Sequence, residues 1–329
     1  MRELEKMLFL FTLALGLTGL WFGATLIVES AKKIAKKLNV SHALIGLTIV
    51  SIGTSLPEIA TNIKSGMIGA SGIAVGTNIG SCLTQITIIL GLTALLGTMK
   101  ATKKLIRRDF PMLLFAIIAM FLVGITGNKI MWFEGLALII IYLIYLYVLA
   151  KDEKVGLKVK GEFKEHKNGN GHNGIYSKNL TIMAFGVLIL IYTSEMVVSS
   201  ALDLAEYWGV AQSFVGVMII GVGTGLPELS TAITGILRKA SGVSIGTLIG
   251  SNVTDPMFSL GAGAIASGSF LVFENNLLFF DMPFWIIASI IAFFLFSRNM
   301  KIGKADKKEG LTLIALYVLF VFLKIKFFL

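Results

Sequence analysis

Charge is scarce in this 329-residue chain: 15% of its residues are Asp, Glu, Lys or Arg, against roughly 25% in a soluble domain. Hydrophobic residues make up 55% and the mean hydropathy is +0.84, which excludes an ordinary soluble fold. Cysteine is almost missing too. The single Cys82 rules out a disulfide framework and any thiolate cluster for zinc or iron–sulfur chemistry. Three histidines, His42, His166 and His172, contain no H-x-x-x-H pair, and the apolar runs hold neither an H-E-x-x-H motif nor a Ser/His dyad. No nucleotide-binding G-x-x-x-x-G-K-[ST] loop occurs. An enzyme, a bound cofactor and an ATP-driven pump are therefore not expected. Cys82 and the 13 methionines read as core filler.

What is present is a series of long, predominantly apolar runs between charged breaks. A bilayer core about 30 Å thick needs about 20 apolar residues per helix, and ten stretches qualify: 7–28, 40–63, 73–98, 110–127, 130–149, 180–200, 210–235, 243–268, 277–297 and 310–328. The first exceeds a signal-peptide core of about 7 to 15 residues and has no small-residue cleavage site, so it reads as a retained helix. The hydrophilic stretch Lys151 to Lys178 separates five spans from five. This divides the chain into residues 1–150, a linker at 151–179, and residues 180–329.

Lys and Arg outnumber Asp and Glu by 29 to 19, and 23 of the 29 fall in the loops after the odd-numbered spans. By the positive-inside rule those loops, with the linker 151–179, are cytoplasmic and both termini lie outside. The clusters Lys32, Lys33, Lys36, Lys37 and Lys103, Lys104, Arg107, Arg108 then serve topology, not nucleic acid. The linker's Gly- and Asn-rich tip, from Glu165 to Gly174, reads as a flexible tether.

Sliding the chain along itself by 170 residues superimposes Val40–Gln85 on Val210–Asp255 without a gap, with 19 identities in 46 positions. Gly53-Thr-Ser-Leu-Pro-Glu58 meets Gly223-Thr-Gly-Leu-Pro-Glu228, and Gly76-Thr-Asn-Ile-Gly-Ser81 meets Gly246-Thr-Leu-Ile-Gly-Ser251. Each half has an odd number of spans, so the second copy enters the membrane from the opposite side. The expected fold is an all-α polytopic membrane protein of ten transmembrane helices, arranged as two inverted five-helix repeats with interrupted helices at the midplane. Many secondary transporters are built this way.

Within the repeat, Ser51, Thr54, Ser55 and Glu58 fall on one helical face, and Pro57 frees a backbone carbonyl nearby. Gly221, Thr224, Gly225 and Glu228 repeat the pattern beside Pro227. Thr77, Ser81 and Gln85 and their copies Thr247, Ser251 and Asp255 add more oxygen. Three carboxylates, Glu58, Glu228 and Asp255, have no His, Lys or Arg in these motifs to neutralise them. Cations are the expected counterions, and all-oxygen ligation favours hard ions such as Ca2+ or Na+. Glu134 and Glu195 have no acidic counterpart and read as interfacial or packing residues.

The doubled Gly-Thr-x-Leu-Pro-Glu motif, followed some 20 residues later by Gly-x-x-x-Gly-Ser, resembles the α-repeats of the cation/calcium antiporter superfamily, and most of all the prokaryotic and archaeal sodium/calcium exchanger branch. The resemblance implies Ca2+ ligands at Glu58 and Glu228, with Thr54, Thr224 and the carbonyls of Ser51 and Gly221. It implies coupling-ion sites at Ser55, Ser81, Ser251, Asp255, Gln85 and Gly225, and sliding of the first and sixth spans against the other eight. Two positions depart from the family pattern: Gln85 stands where Asn is usual, and Gly225 where Ser is usual. The implied function is exchange of Ca2+ for Na+ by alternating access in the cell membrane. A Ca2+/H+ or K+-coupled variant on the same fold is the alternative, and a passive channel a third reading. No oligomer is implied.

Overall fold

The structure is a computed structural model that describes residues 2–37, 51–159, 173–237, 241–297 and 304–328. The start of the second expected span with His42, and the linker tip with His166 and His172, lie outside the described residues.

Almost all of it is helix. In chain order the elements are α1 (Arg2–Lys37), α2 (Ser51–Thr54), α3 (Leu56–Met67), α4 (Ser71–Leu96), α5 (Leu105–Ile125) and α6 (Trp132–Val159) in the first half. The second half has α7 (Asn173–Trp208), α8 (residues 212–224), α9 (Leu226–Leu237), α10 (residues 241–266), α11 (Leu277–Ser297) and α12 (Lys307–Phe328). Eight segments among the described residues are long and apolar enough to cross a membrane. Large apolar side chains such as Phe11, Leu188, Phe294 and Phe322 point outward. A helix that is apolar on its exposed side needs hydrocarbon, not water, around it. The chain is an all-α polytopic membrane protein.

Small residues set the helix crossings, as expected where lipid and side chain are equally apolar and close van der Waals approach must do the work. A Cβ at Gly91 would lie 2.8 Å from the Gly310 carbonyl oxygen, and one at Gly261 would lie 2.7 Å from that of Gly135. These two crossings are copies of one another: Gly91 and Gly261 differ by the 170-residue shift. Gly135 and Gly310 are matched by a shift of 175 that also aligns Glu134 with Glu309 and Tyr142 with Tyr317.

Two short antiparallel ribbons repeat the theme. β1 (Met99–Lys100) pairs with β4 (Lys304–Ala305), and β2 (Lys129–Met131) with β3 (Phe270–Val272). Each ribbon ties a loop of one half to a loop of the other. Wide π turns recur at matched places, at Gln85–Ile89 and Asp255–Ser259, and again at Leu105–Asp109 and Leu277–Asp281. Such turns are rare and gather at functional sites.

The buried apolar side chains form two clusters. The larger is centred on α4, α5, α10 and α11, with Phe110, Trp285 and Phe296 among its members. The smaller joins α1 to α7 through Leu20, Val197, Val198 and Leu204, where a Cβ at Gly23 would lie 3.0 Å from the Gly186 carbonyl oxygen.

One charge departs from the sequence expectation. Lys324, which the charge count assigns to a terminal tail, is fully buried, and its Nζ lies 2.5 Å from Oδ2 of the equally buried Asp281. The rings of Phe328 and Phe280 flank the ammonium, with centroids at 4.8 and 5.8 Å. In the first half Asp109 occupies the matching place, two residues before a proline, and accepts from Tyr145 Oη at 2.9 Å and Arg108 Nε at 2.6 Å. Glu195 pairs with Lys64 at 2.5 Å, and Glu134 accepts from the Met131 amide at 2.8 Å.

Candidate functional site

The helix that carries the first motif is not continuous. It breaks at Ser55, between α2 and α3, so the four-residue face expected of an unbroken helix is bent there. Pro57 has no N–H to give to Gly53, which frees that carbonyl. Bonds at the edges of the break survive: the Ser55 amide donates to Ser51 O at 3.3 Å and the Ile59 amide to Ser55 O at 3.0 Å. The second motif breaks in the same way at Gly225, whose amide donates to Gly221 O at 3.3 Å, with Leu229 donating to Gly225 O at 3.1 Å.

The breaks let four segments converge. Ser81 Oγ donates to Glu58 Oε1 at 2.6 Å, and its repeat copy Ser251 Oγ donates to Glu228 Oε1 at 3.2 Å. Thr54 Oγ1 reaches Ser251 Oγ at 3.4 Å across the two halves and donates to Ser51 O at 3.1 Å, while Thr224 Oγ1 donates to Gly221 O at 3.5 Å. Gln85 and Asp255 meet directly, Nε2 to Oδ2 at 3.2 Å. Glu58, Glu228 and Asp255 are completely buried and near enough to act on one another electrostatically. Thr54 lies beside Glu228, and Ser55 beside Asp255.

The free atoms are as telling as the bonded ones. Glu58 Oε2, Glu228 Oε2, Asp255 Oδ1, Thr77 Oγ1 and Thr247 Oγ1 are buried with no hydrogen-bond partner among the described residues. A buried oxygen without a donor costs free energy unless something else satisfies it. Among the described residues no three acidic, His or Cys side chains converge as the ligands of a resident metal would. Other oxygens beside these carboxylates belong to hydroxyls and backbone carbonyls, donor types that hard cations take.

Close backbone approach explains the small residues of the second motif. A Cβ at Gly221 would sit 2.6 Å from the Ser81 amide nitrogen of α4. Gly225, by contrast, is not sterically required. A Cβ there would meet only ordinary contacts, Gly221 O at 3.4 Å and Ile89 Cδ1 at 3.5 Å, and its φ is −74°.

Four residues that sequence reasoning set aside or passed over belong to this region. Cys82, read as filler, has its Sγ 3.7 Å from Asp255 Oδ2. Asn252 donates to Gln85 Oε1 at 2.7 Å and accepts from Trp285 Nε1 at 3.3 Å, and Asn78 donates to the Asp255 carbonyl at 2.6 Å. The available signal was the repeat register, which sets Cys82 opposite Asn252 within the motif.

Buried carboxylates at paired helix breaks, in the middle of a multi-pass membrane fold, define an ion-translocating membrane protein. Comparison with known proteins gives the particular kind. The model for the family described as "Sodium/calcium exchanger protein" matches residues 8–151 and 178–326, and the chain belongs to that family. It is thus an ion exchanger and not an enzyme. An uncharacterised membrane protein of Methanocaldococcus jannaschii is 32% identical over 93% of this chain and 94% of its own length. The sodium/calcium exchanger MaX1 of Methanosarcina acetivorans is 30% identical over 94% and 96%. Among solved structures, the sodium-calcium exchanger NCX_Mj soaked with 2.5 mM Na+ and 0.1 mM Ca2+ aligns with a TM-score of 0.65 at 28% identity, covering 95% of this chain and 97% of that one.

Proposed function

We propose that this chain exchanges Ca2+ for Na+ across the cell membrane by alternating access to one central site. The observation that carries the reading is the set of three buried carboxylates, each with an oxygen that has no hydrogen-bond partner among the described residues, joined across the two halves. Glu58 and Glu228 are the principal Ca2+ ligands, assisted by Thr54, Thr224 and the carbonyls of Ser51 and Gly221. Ser55, Ser81, Ser251 and Asp255, with Gln85 and Gly225 alongside, form the region where the coupling ions bind.

The physics of antiport follows from burial. An empty site with ionised Glu58 and Glu228 would carry unpaired charge through the rearrangement, so only cation-loaded forms cross readily. Ca2+ and Na+ compete for overlapping oxygens, and each leaves on the side where it is scarce. In this mechanism α1 and α7, which pack on each other through the smaller apolar cluster, slide against the rest, and the same cluster's Ile73, Val215 and Ile220 mark the surface they slide on.

The architecture in this reading is ten membrane helices in two inverted five-helix halves, residues 1–150 and 180–329, joined by the cytoplasmic linker 151–179 with both termini outside. The matched glycine crossings and matched ribbons favour it. The shift of 170 sets Lys32, Lys33, Lys36 and Lys37 of α1 against Leu202, Asp203, Glu206 and Tyr207 of α7, so the basic cluster has no copy in the second half, as the positive-inside rule asks when equivalent helix ends face opposite sides.

The test is 45Ca2+ flux in proteoliposomes under separately imposed sodium, potassium and proton gradients. Uptake should follow the sodium gradient. Uptake driven by a pH gradient and indifferent to sodium would replace this reading with Ca2+/H+ exchange. Because Gly225 has room for a side chain, Gly225→Ser should restore a hydroxyl beside the break and lower the sodium concentration for half-activation about two- to fivefold, the effect of one added ligand contact. An unchanged sodium curve would remove Gly225 from the coupling region.

A further inference from the structure

We propose that Gln85 is a fixed hydrogen-bond donor occupying the place of a coupling cation beside Asp255, and that Asn252 and Trp285 are the positioning residues that hold it so. The proposal deepens the exchange reading above and rests on it.

A side-chain amide offers an oxygen, which can ligate a hard cation, or an NH2, which cannot. Its neighbours decide which end faces the site. Here the decision begins at Trp285 on α11, completely buried, whose indole N–H is a donor only. It points at Asn252 Oδ1 at 3.3 Å, so the other end of that amide must be its NH2. An independent contact agrees: the same NH2 lies 3.1 Å from the carbonyl of Leu248, which is an acceptor only.

Asn252 Nδ2 then donates to Gln85 Oε1 at 2.7 Å. With its oxygen engaged there, Gln85 presents its NH2 to Ser81 Oγ at 2.9 Å and Asp255 Oδ2 at 3.2 Å. Ser81 Oγ in turn donates a hydrogen bond to Glu58 Oε1 at 2.6 Å. Apart from the Asn252 bond to the Leu248 carbonyl, the hydrogen bonds run one way, from the tryptophan toward the two carboxylates. The oxygen that glutamine could lend to a cation is turned away, and its N–H groups cover lone pairs of Ser81 and Asp255 that a sodium ion would need.

The repeat register shows why the relay runs in one direction only. Asn252 has Cys82 as its counterpart, and Cys82 rests against Asp255, with Sγ to Oδ2 at 3.7 Å. Each member of this pair thus contacts the other half's Gln85 or Asp255, but only the second half supplies an amide able to orient its partner. Gln85 thus occupies, with neutral N–H donors, oxygens of Asp255 and Ser81 that would otherwise hold a coupling ion, and so weakens sodium binding there.

The sign of one substitution tests this. Gln85→Met keeps the length of the side chain and removes both donor and acceptor. If the oxygen of Gln85 were a sodium ligand, the variant would need more sodium. If Gln85 is the stand-in donor, Asp255 and Ser81 become free, and the sodium concentration for half-activation of 45Ca2+ efflux from proteoliposomes falls about two- to tenfold, the scale of one hydrogen bond to a charged group. Trp285→Phe, which keeps the ring and loses the N–H, should move the sodium curve the same way by a smaller factor. A rise, or no shift, in either variant would overturn the proposal. Calcium efflux from the unmodified protein with no sodium dependence would overturn the exchange reading itself.

Discussion

Glu58→Gln and Glu228→Gln are each expected to abolish sodium-dependent calcium exchange, with rates at least about a hundredfold below the unmodified protein, since removing one member of a buried charge assembly costs about 3–5 kcal/mol. Both carboxylates are completely buried, each accepts one serine hydroxyl at Oε1, and each leaves Oε2 without a hydrogen-bond partner among the described residues. Glutamine keeps the shape and the serine contact while removing the charge that holds the ion. A second measurement separates an ion ligand from a structural residue. In ion-free detergent a buried uncompensated carboxylate is a burden, so either variant should unfold at the same temperature as the parent or higher. Exchange at parental rates would take that glutamate out of the ligand set. Loss of exchange together with early unfolding would make it a packing residue.

The second large effect lies away from the site. Lys324→Met should destabilise the protein by about 3–5 kcal/mol, because it strands Asp281 as a buried charge without its partner. Both groups are fully buried, their contact is 2.5 Å, and Asp281 Oδ1 has no other partner among the described residues. Combining Lys324→Met with Asp281→Asn removes both charges and should recover most of the loss, since the two rings around Lys324 pack equally well on a methionine. Thermal unfolding of the two variants reads the difference. A single variant as stable as the parent would mean that water or another group already compensates Asp281.

Much of the fold was open to inspection in the sequence. Hydropathy located membrane segments because lipid leaves a helix no choice but to be apolar along its length. Glu58, Glu228 and Asp255 stood out because carboxylates are rare and costly inside such runs, and Pro57 and Pro227 announced the breaks beside two of them. These signals are local: each depends on a residue and its chain neighbours. Lys324 and Asp281 escaped for the same reason. Near the ends of their runs they resemble interfacial charges, and nothing within 43 residues of chain shows that they pair.

The sequence by itself determined that this is a membrane-embedded duplicated chain with acidic residues at paired helix breaks, because composition, periodicity and a 170-residue self-match are properties of the chain alone. Only the tertiary structure decided which way the amide of Gln85 faces, that Cys82 borders Asp255, and that Asn252 and Trp285 join the region. An amide has two chemically opposite ends, and its orientation is set by donors and acceptors brought from the other half of the molecule. No spacing in the chain records that choice.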